Sequence, residues 1–173
     1  LTAMLKSGKL DVIMIALPFE EPGILVQALY DEPFNAVVPA DHRLAKKGTI
    51  DPSAMTGERV LLPHAGHCFR HQVLEACPEL SRSDSEGLQG NSLETIRQMV
   101  ASGLGITVMP SSAVTSRHLN KRLTVLEFAK PVPERRIALA WRKGFARPAV
   151  MTAIQDAVGM LKIPGLEPIP ATA

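Results

Sequence analysis

Apolar and polar positions alternate in blocks along the chain, and the blocks predict helices and strands in turn. "LTAMLKSGKLDVIMIALP" opens as an amphipathic helix stopped near Gly8 and continues into an apolar strand from Asp11 to Leu17. A strand so apolar on both faces calls for neighbours on both sides, and the opening predicts that a further segment precedes it. Two more strand-like runs, Ile24 to Tyr30 and Phe34 to Val38, are separated by "DEP". "DHRLAKKG" and "DPSAM" read as brief helical turns, and "ERVLLP" as a strand ending at Pro63. His64 to Cys77, "HAGHCFRHQVLEAC", reads as one short helix starting near Gly66 or His67, with the breaker-rich loop "PELSRSDSEG" after it.

The next element is the most legible. In "NSLETIRQMVASGLGITVMP", Asn91 or Ser92 stands at an N-cap, with Glu94 at the capping-box position counted from Asn91. Leu93, Ile96, Met99 and Val100 then follow at helical spacing. Gly103 suits the residue after the helix, and Gly105 to Met109 makes a strand. "SSAVTSRHL" reads as a short capped helix, and "RLTVLEF" and "RRIALAW" as strands. "RPAVMTAIQDAVGMLK" starts a helix near Pro148, with Val150, Ile154, Ala157, Val158 and Leu161 on one face. The Pro-rich tail "IPGLEPIPATA" predicts a frayed end. Strands alternating with helices give an α/β class with a mostly parallel sheet.

Composition narrows the function classes. With 46% hydrophobic and 21% charged residues over 173 positions, the chain is globular material, with enough apolar residues for one sizeable core or two small ones. A net charge of +2 supplies no basic field of the kind that holds nucleic acid. No apolar run approaches the roughly 20 residues that cross a bilayer, and no signal or transit sequence opens the chain. The expectation is a cytoplasmic protein that makes no membrane contact. Nothing in the motifs calls for a cofactor.

The candidate chemistry lies in the His64–Cys77 stretch, which holds both cysteines and three of the five histidines. Cys68 stands where a helix begins, so orphan backbone donors and the macrodipole favour an anion there, and His67 and Arg70 flank it. Those are conditions that favour a thiolate. A thiolate attacks the O–O bond of a peroxide and becomes a sulfenic acid, which a second thiol converts to a disulfide. Cys77 lies nine residues on. In a helix that spacing is about 13 Å between Cα atoms, against a limit of about 7 Å for a disulfide. Oxidation would have to unwind the segment, which is the behaviour of a switch. Other readings remain open at this level: each cysteine as a small buried hydrophobe, Arg70 and His71 as a solvated helix face, or zinc held by some of His64, His67, Cys68, His71 and Cys77.

"GHCFR" with its second cysteine nine residues later, followed by "NSLETIRQMVASGLGITVMP", resembles the regulatory domain of the peroxide-sensing LysR-type transcription regulators. "SGKLDVIMIAL", "LYDEPFNAVVPADH", "RVLLPHAGHC" and "RRIALAWRKG" extend the likeness to about residue 161. The resemblance implies two Rossmann-like subdomains as in periplasmic binding proteins, with mixed, mostly parallel sheets and the sensing site in the cleft between them. Residues 1–30 and 138–173 would form a first subdomain, incomplete at its N-terminal end, and 31–137 a second. It implies that Cys68 is the peroxidatic cysteine and Cys77 the resolving one, with His67, Arg70 and Arg135 around the reactive sulfur. Arg136 is the neighbouring alternative to Arg135.

The family's DNA-binding helix-turn-helix has no counterpart in this chain. The implied partners are hydrogen peroxide as signal, a second copy in a homodimer or tetramer, and glutaredoxin or thioredoxin as reductant. Promoter DNA and RNA polymerase would be reached through a full-length bacterial regulator. Two alternatives use the same residues differently. One is a small-anion receptor gripping a carboxylate near Asn91 and Ser92, where plain capping is the competing explanation. The other is a thiol peroxidase that turns over repeatedly.

Overall fold

One strand of sixteen residues, β2 (Ile24–Pro39), runs straight through "DEP", where the sequence pattern predicts a break. This computed structural model describes residues 1–82, 89–115, 121–161, 163 and 165–169. Pro33 lacks an N–H but costs β2 little, since the next donor, Phe34 N–H, is taken by the Pro133 carbonyl at 2.8 Å. The two acids beside it are neutralised by arginines: Asp31 by Arg136 and Glu32 by Arg135. All four of these residues lie in one compact unit. The compact units are Leu1–Glu32 with Arg135–Ala173, and Pro33–Glu134.

In the first unit, α1 (Thr2–Lys6) precedes β1 (Val12–Ala16), which pairs antiparallel with β6 (Glu134–Arg142), Val12 opposite Trp141. Among the described residues β1 pairs with β6 alone, and Met14 on it is exposed. The tail is not merely frayed: β7 (Glu167–Pro168) pairs with β2 at Tyr30 and Asp31. Helix α4 (Pro148–Gly159) buries Met151 and Val158 against Leu29, Ile137 and Leu139. Val150, Ala157 and Leu161, expected on the buried face, are exposed. Two overlapping stripes share Ile154 and Val158, and packing selects the one through Met151.

In the second unit β2 is central. β4 (Thr107–Pro110) and β5 (Leu123–Phe128) both pair antiparallel with it, Val37 facing Thr107 and Val125. Only β3 (Thr49–Ile50) pairs parallel, with β5. The sheet is therefore mixed, but the pairing among the described strands is mainly antiparallel rather than mostly parallel. β4 and β5 run the same way, yet β2, which runs the other way, lies between them. "ERVLLP" is not a strand. Among the described residues its strand-like pairing is limited to the parallel bridges Val60↔Ile106 and Pro63↔Gly90, and the Thr107 hydroxyl donates to the Leu61 carbonyl at 2.6 Å. Arg43–Lys46 and Pro52–Met55 are short 3-10 turns, as expected. Ser111–Ala113 is one too, where a short helix was expected, and the later part of that segment, 116–120, lies outside the described residues. Pro78–Arg82 is a further 3-10 turn, and 83–88 of the polar loop are likewise outside.

Two helices cover this unit. α2 spans Cys68–Ala76 and α3 spans Leu93–Ala101. The N-cap of α3 is Ser92, whose hydroxyl accepts from Thr95 N–H at 3.1 Å. Counted from Ser92, Glu94 is one residue short of the capping-box position, and its carboxylate instead takes bonds from Arg97 and Gln98. Among the described residues no helix is long and apolar enough to cross a membrane.

Candidate functional site

The start of α2 is shaped by its own sequence. Gly66 turns the chain at φ +92°, a region that favours glycine, and His67 follows in extended conformation as the N-cap. Its ring Nδ1 accepts the Phe69 backbone N–H at 3.2 Å. Cys68 is thus the first helical residue, exposed, at the positive end of the helix dipole. Arg70 donates from Nη1 to the Pro63 carbonyl at 3.4 Å, tying the first turn to the segment before it. His64 lies edge-on to His67 with centroids 6.0 Å apart. His71 points outward, paired with Glu75 at 3.7 Å.

The other end of α2 has the opposite character. Cys77 caps the helix, its N–H on the Val73 carbonyl at 2.8 Å, and its side chain is fully buried among Phe34, Phe69, Val73 and Leu80. Burial pushes its thiol up to about 12, helped by the negative charges of Glu79 and Asp51. Both cysteines are free thiols. With the helix intact, about 13 Å of helical rise separates their Cα atoms. The arrangement holds one accessible sulfur at a dipole-favoured position and one sulfur withheld in the core.

The structure brings His67, Cys68 and Arg70 together at one helix end, with Cys77 at the other. Arg135 belongs to the first unit. Its Nε and Nη2 donate to Glu32 Oε2 at 2.8 and 2.7 Å, and Glu32 is completely buried. Arg136 is more exposed and forms a two-pronged pair with Asp31, both distances 2.7 Å. The two adjacent arginines therefore differ in kind. The same buried carboxylate raises the Tyr30 hydroxyl, second to the effect of burial itself.

Sequence reading missed Glu32, whose only signal was an acid inside an apolar strand run, and Phe69, which looked like an ordinary helix residue. It also missed Arg97, which is buried on α3 and donates to the Ala113 carbonyl at 2.8 Å. The zinc reading finds no support: among the described residues no three or more His, Cys, Asp or Glu side chains come together to hold a metal ion. Ser92, offered as an anion grip, is engaged with Thr95 as a cap.

Comparison with known proteins agrees with this geometry. A family model for the LysR substrate binding domain matches residues 1–160. The hydrogen peroxide-inducible genes activator of Dickeya chrysanthemi is 37% identical over 144 residues, covering 83% of this chain and 47% of that relative. The chain thus spans about half the length of that curated relative. Among solved structures, a reduced form of OxyR from N. meningitidis superposes with a TM-score of 0.88 at 39% identity, covering 98% of this chain and 80% of the other. A cysteine-to-serine mutant of Corynebacterium glutamicum OxyR with H2O2 bound gives a TM-score of 0.82 at 31% identity, covering 91% and 50%. A family match over residues 1–160 means that the chain belongs to the LysR substrate-binding domain family, and the solved structures it resembles at 39–44% identity group it with the OxyR regulatory domains.

Proposed function

We propose that this chain is the sensor domain of a hydrogen-peroxide-responsive transcription regulator in the bacterial cytoplasm. Cys68 reacts first: its thiolate sulfur bonds one oxygen of H2O2, the O–O bond breaks, and a sulfenic acid and hydroxide result, the hydroxide taking a proton from solvent to become water. Cys77 then attacks the sulfenic sulfur, the S–S bond forms, and the hydroxyl leaves as water with the Cys77 proton. The bond requires α2 to unwind, and the refolded segment alters the packing of a homodimer or tetramer. DNA-binding domains attached to the full-length protein then change their grip on promoter DNA and on RNA polymerase. Glutaredoxin or thioredoxin resets the thiols.

The carrying observation is the pair of free thiols at opposite ends of one short helix, one exposed at the helix start and one buried at its end. The relatives' names, a peroxide-inducible activator and an H2O2-bound OxyR, support peroxide as the signal. His67 and Arg70 flank the sulfur, and Arg135, pinned by Glu32, is the arginine that the family likeness assigns to the thiolate. The two units correspond in this reading to the two regulatory subdomains.

Intact mass after one equivalent of H2O2 tests it. The expected result is loss of two hydrogens, with Cys77→Ser halting at a trappable sulfenic acid and Cys68→Ser inert. Unchanged mass in the folded protein would reject the reading, and sustained consumption of peroxide with a reductant would favour a thiol peroxidase.

A further inference from the structure

In the first turn of α2, one residue joins the cap to the core. Phe69 gives its backbone N–H to His67 Nδ1 at 3.2 Å, and its buried ring meets Phe34 edge-on, centroids 5.5 Å apart at 84°. The ring nitrogen serves here as a hydrogen-bond acceptor, the role of an N-cap side chain. Cap and anchor therefore meet in a single residue, and the helix start comes apart only when both release. Phe69, Val73 and Cys77 follow one another along one buried face, at positions 69, 73 and 77, in the same apolar cluster. What frees Phe69 also begins to uncover Cys77. Cys68, exposed between cap and anchor, does little to hold the turn.

We propose that His67 is a positioning residue for the second step of the switch. As the N-cap it keeps α2 wound over Cys77, and release of that cap with the Phe69 ring sets the rate of disulfide formation. This rests on the peroxide-sensor reading above. His67 takes no part in the bond changes: Cys77 sulfur bonds Cys68 sulfur, the S–O bond of the sulfenic acid breaks, and the hydroxyl leaves as water with the Cys77 proton. Its action is mechanical, through the helix.

The experiment compares the 173-residue chain with His67→Ala and His67→Asn. Asparagine is among the strongest N-cap residues and has no titrating group, so it restores the cap without restoring an imidazole. Rapid mixing with H2O2, quenching with an alkylating reagent and intact mass separate sulfenic acid formation from condensation. Amide hydrogen exchange on the reduced proteins reads the Phe69 N–H directly. His67→Ala should condense about fivefold faster and exchange Phe69 about fivefold faster, the size of one lost N-cap. His67→Asn should return both rates to the parent values, whatever it does to the first step. Unchanged condensation in His67→Ala, or His67→Asn behaving like His67→Ala, overturns the proposal and leaves the sensor reading standing. Absence of both sulfenic acid and disulfide in the parent chain overturns the sensor reading and the proposal with it.

Discussion

Helices α2 and α3 belong to the same unit and have the same length of nine residues, but they are built to different ends. α3 is closed at both ends by its own sequence. Ser92 caps the start, Glu94 links to Arg97 and Gln98 along the surface, and the Ser102, Gly103 and Leu104 N–H groups close on the last carbonyls, with Gly103 at φ +76°. α2 has a ring nitrogen for a cap, no acid in its first turn and no base in its last. It stays wound because Phe69 and Val73, with Cys77 just after it, are buried on one side. The difference teaches where each helix keeps its stability. α3 carries much of it locally, whereas α2 borrows it from the core, so α2 is the one that a covalent event can convert.

The largest effect that separates them is expected from truncating the anchors. Phe69→Ala should lower the unfolding free energy by about 3–5 kcal/mol, as should Ile96→Ala on α3 by about 2–5 kcal/mol, both read by urea titration. In a Cys68→Ser background, however, only Phe69→Ala should raise the labelling rate of Cys77 by about a hundredfold, because it opens α2 without opening the rest. Equal labelling in the two variants would mean that α2 does not open on its own, and the contrast between the helices would fail.

Alkaline pH gives the next effect. The Cys77 thiol is raised from an ordinary value of 9.0 to about 12 by burial, then by Glu79 and Asp51. The folded state thus keeps a proton that the unfolded chain gives up, so this contribution is fully present below about pH 9 and is lost as pH rises toward 12. Urea titrations at pH 8 and pH 10 should show stability falling by up to about 1.4 kcal/mol per pH unit above pH 9. Cys77→Ala should flatten that slope, and a slope that survives it belongs to some other group.

Removing the α3 cap by Ser92→Ala should cost about 1 kcal/mol in the same titration and leave Cys77 labelling unaltered. An acceleration of labelling would show that the two helices unfold as one. Smallest of all is His71→Ala. The exposed His71–Glu75 pair should be worth less than about 0.5 kcal/mol at any pH. A larger loss would give α2 a surface ladder of its own and weaken the contrast with α3.

Much of the fold and of the candidate site is local, and so could be read from the chain alone. The start of α2 near Gly66 or His67, the start of α3 at Asn91 or Ser92, its stop at Gly103 and the spacing of the two cysteines follow from caps, glycine conformation and helical period, which neighbours in sequence determine. The likeness of "GHCFR" and "NSLETIRQMVASGLGITVMP" to a known family is also a property of the string. Other features depend on partners far away in sequence. β2 runs through Pro33 because Pro133 and two arginines more than a hundred residues on receive what a break would have released. The sheet is mainly antiparallel because β2 lies between two strands of like direction, which no count of alternating elements reveals. α4 buries Met151 instead of Val150 because the two stripes are equally apolar and only the surface beneath chooses. At the site itself, sequence alone determined which atoms can react and how far apart a helix would hold them. Tertiary structure decided that one sulfur is exposed and the other sealed in the core, since burial is a property of the whole packing and not of any residue's neighbours along the chain.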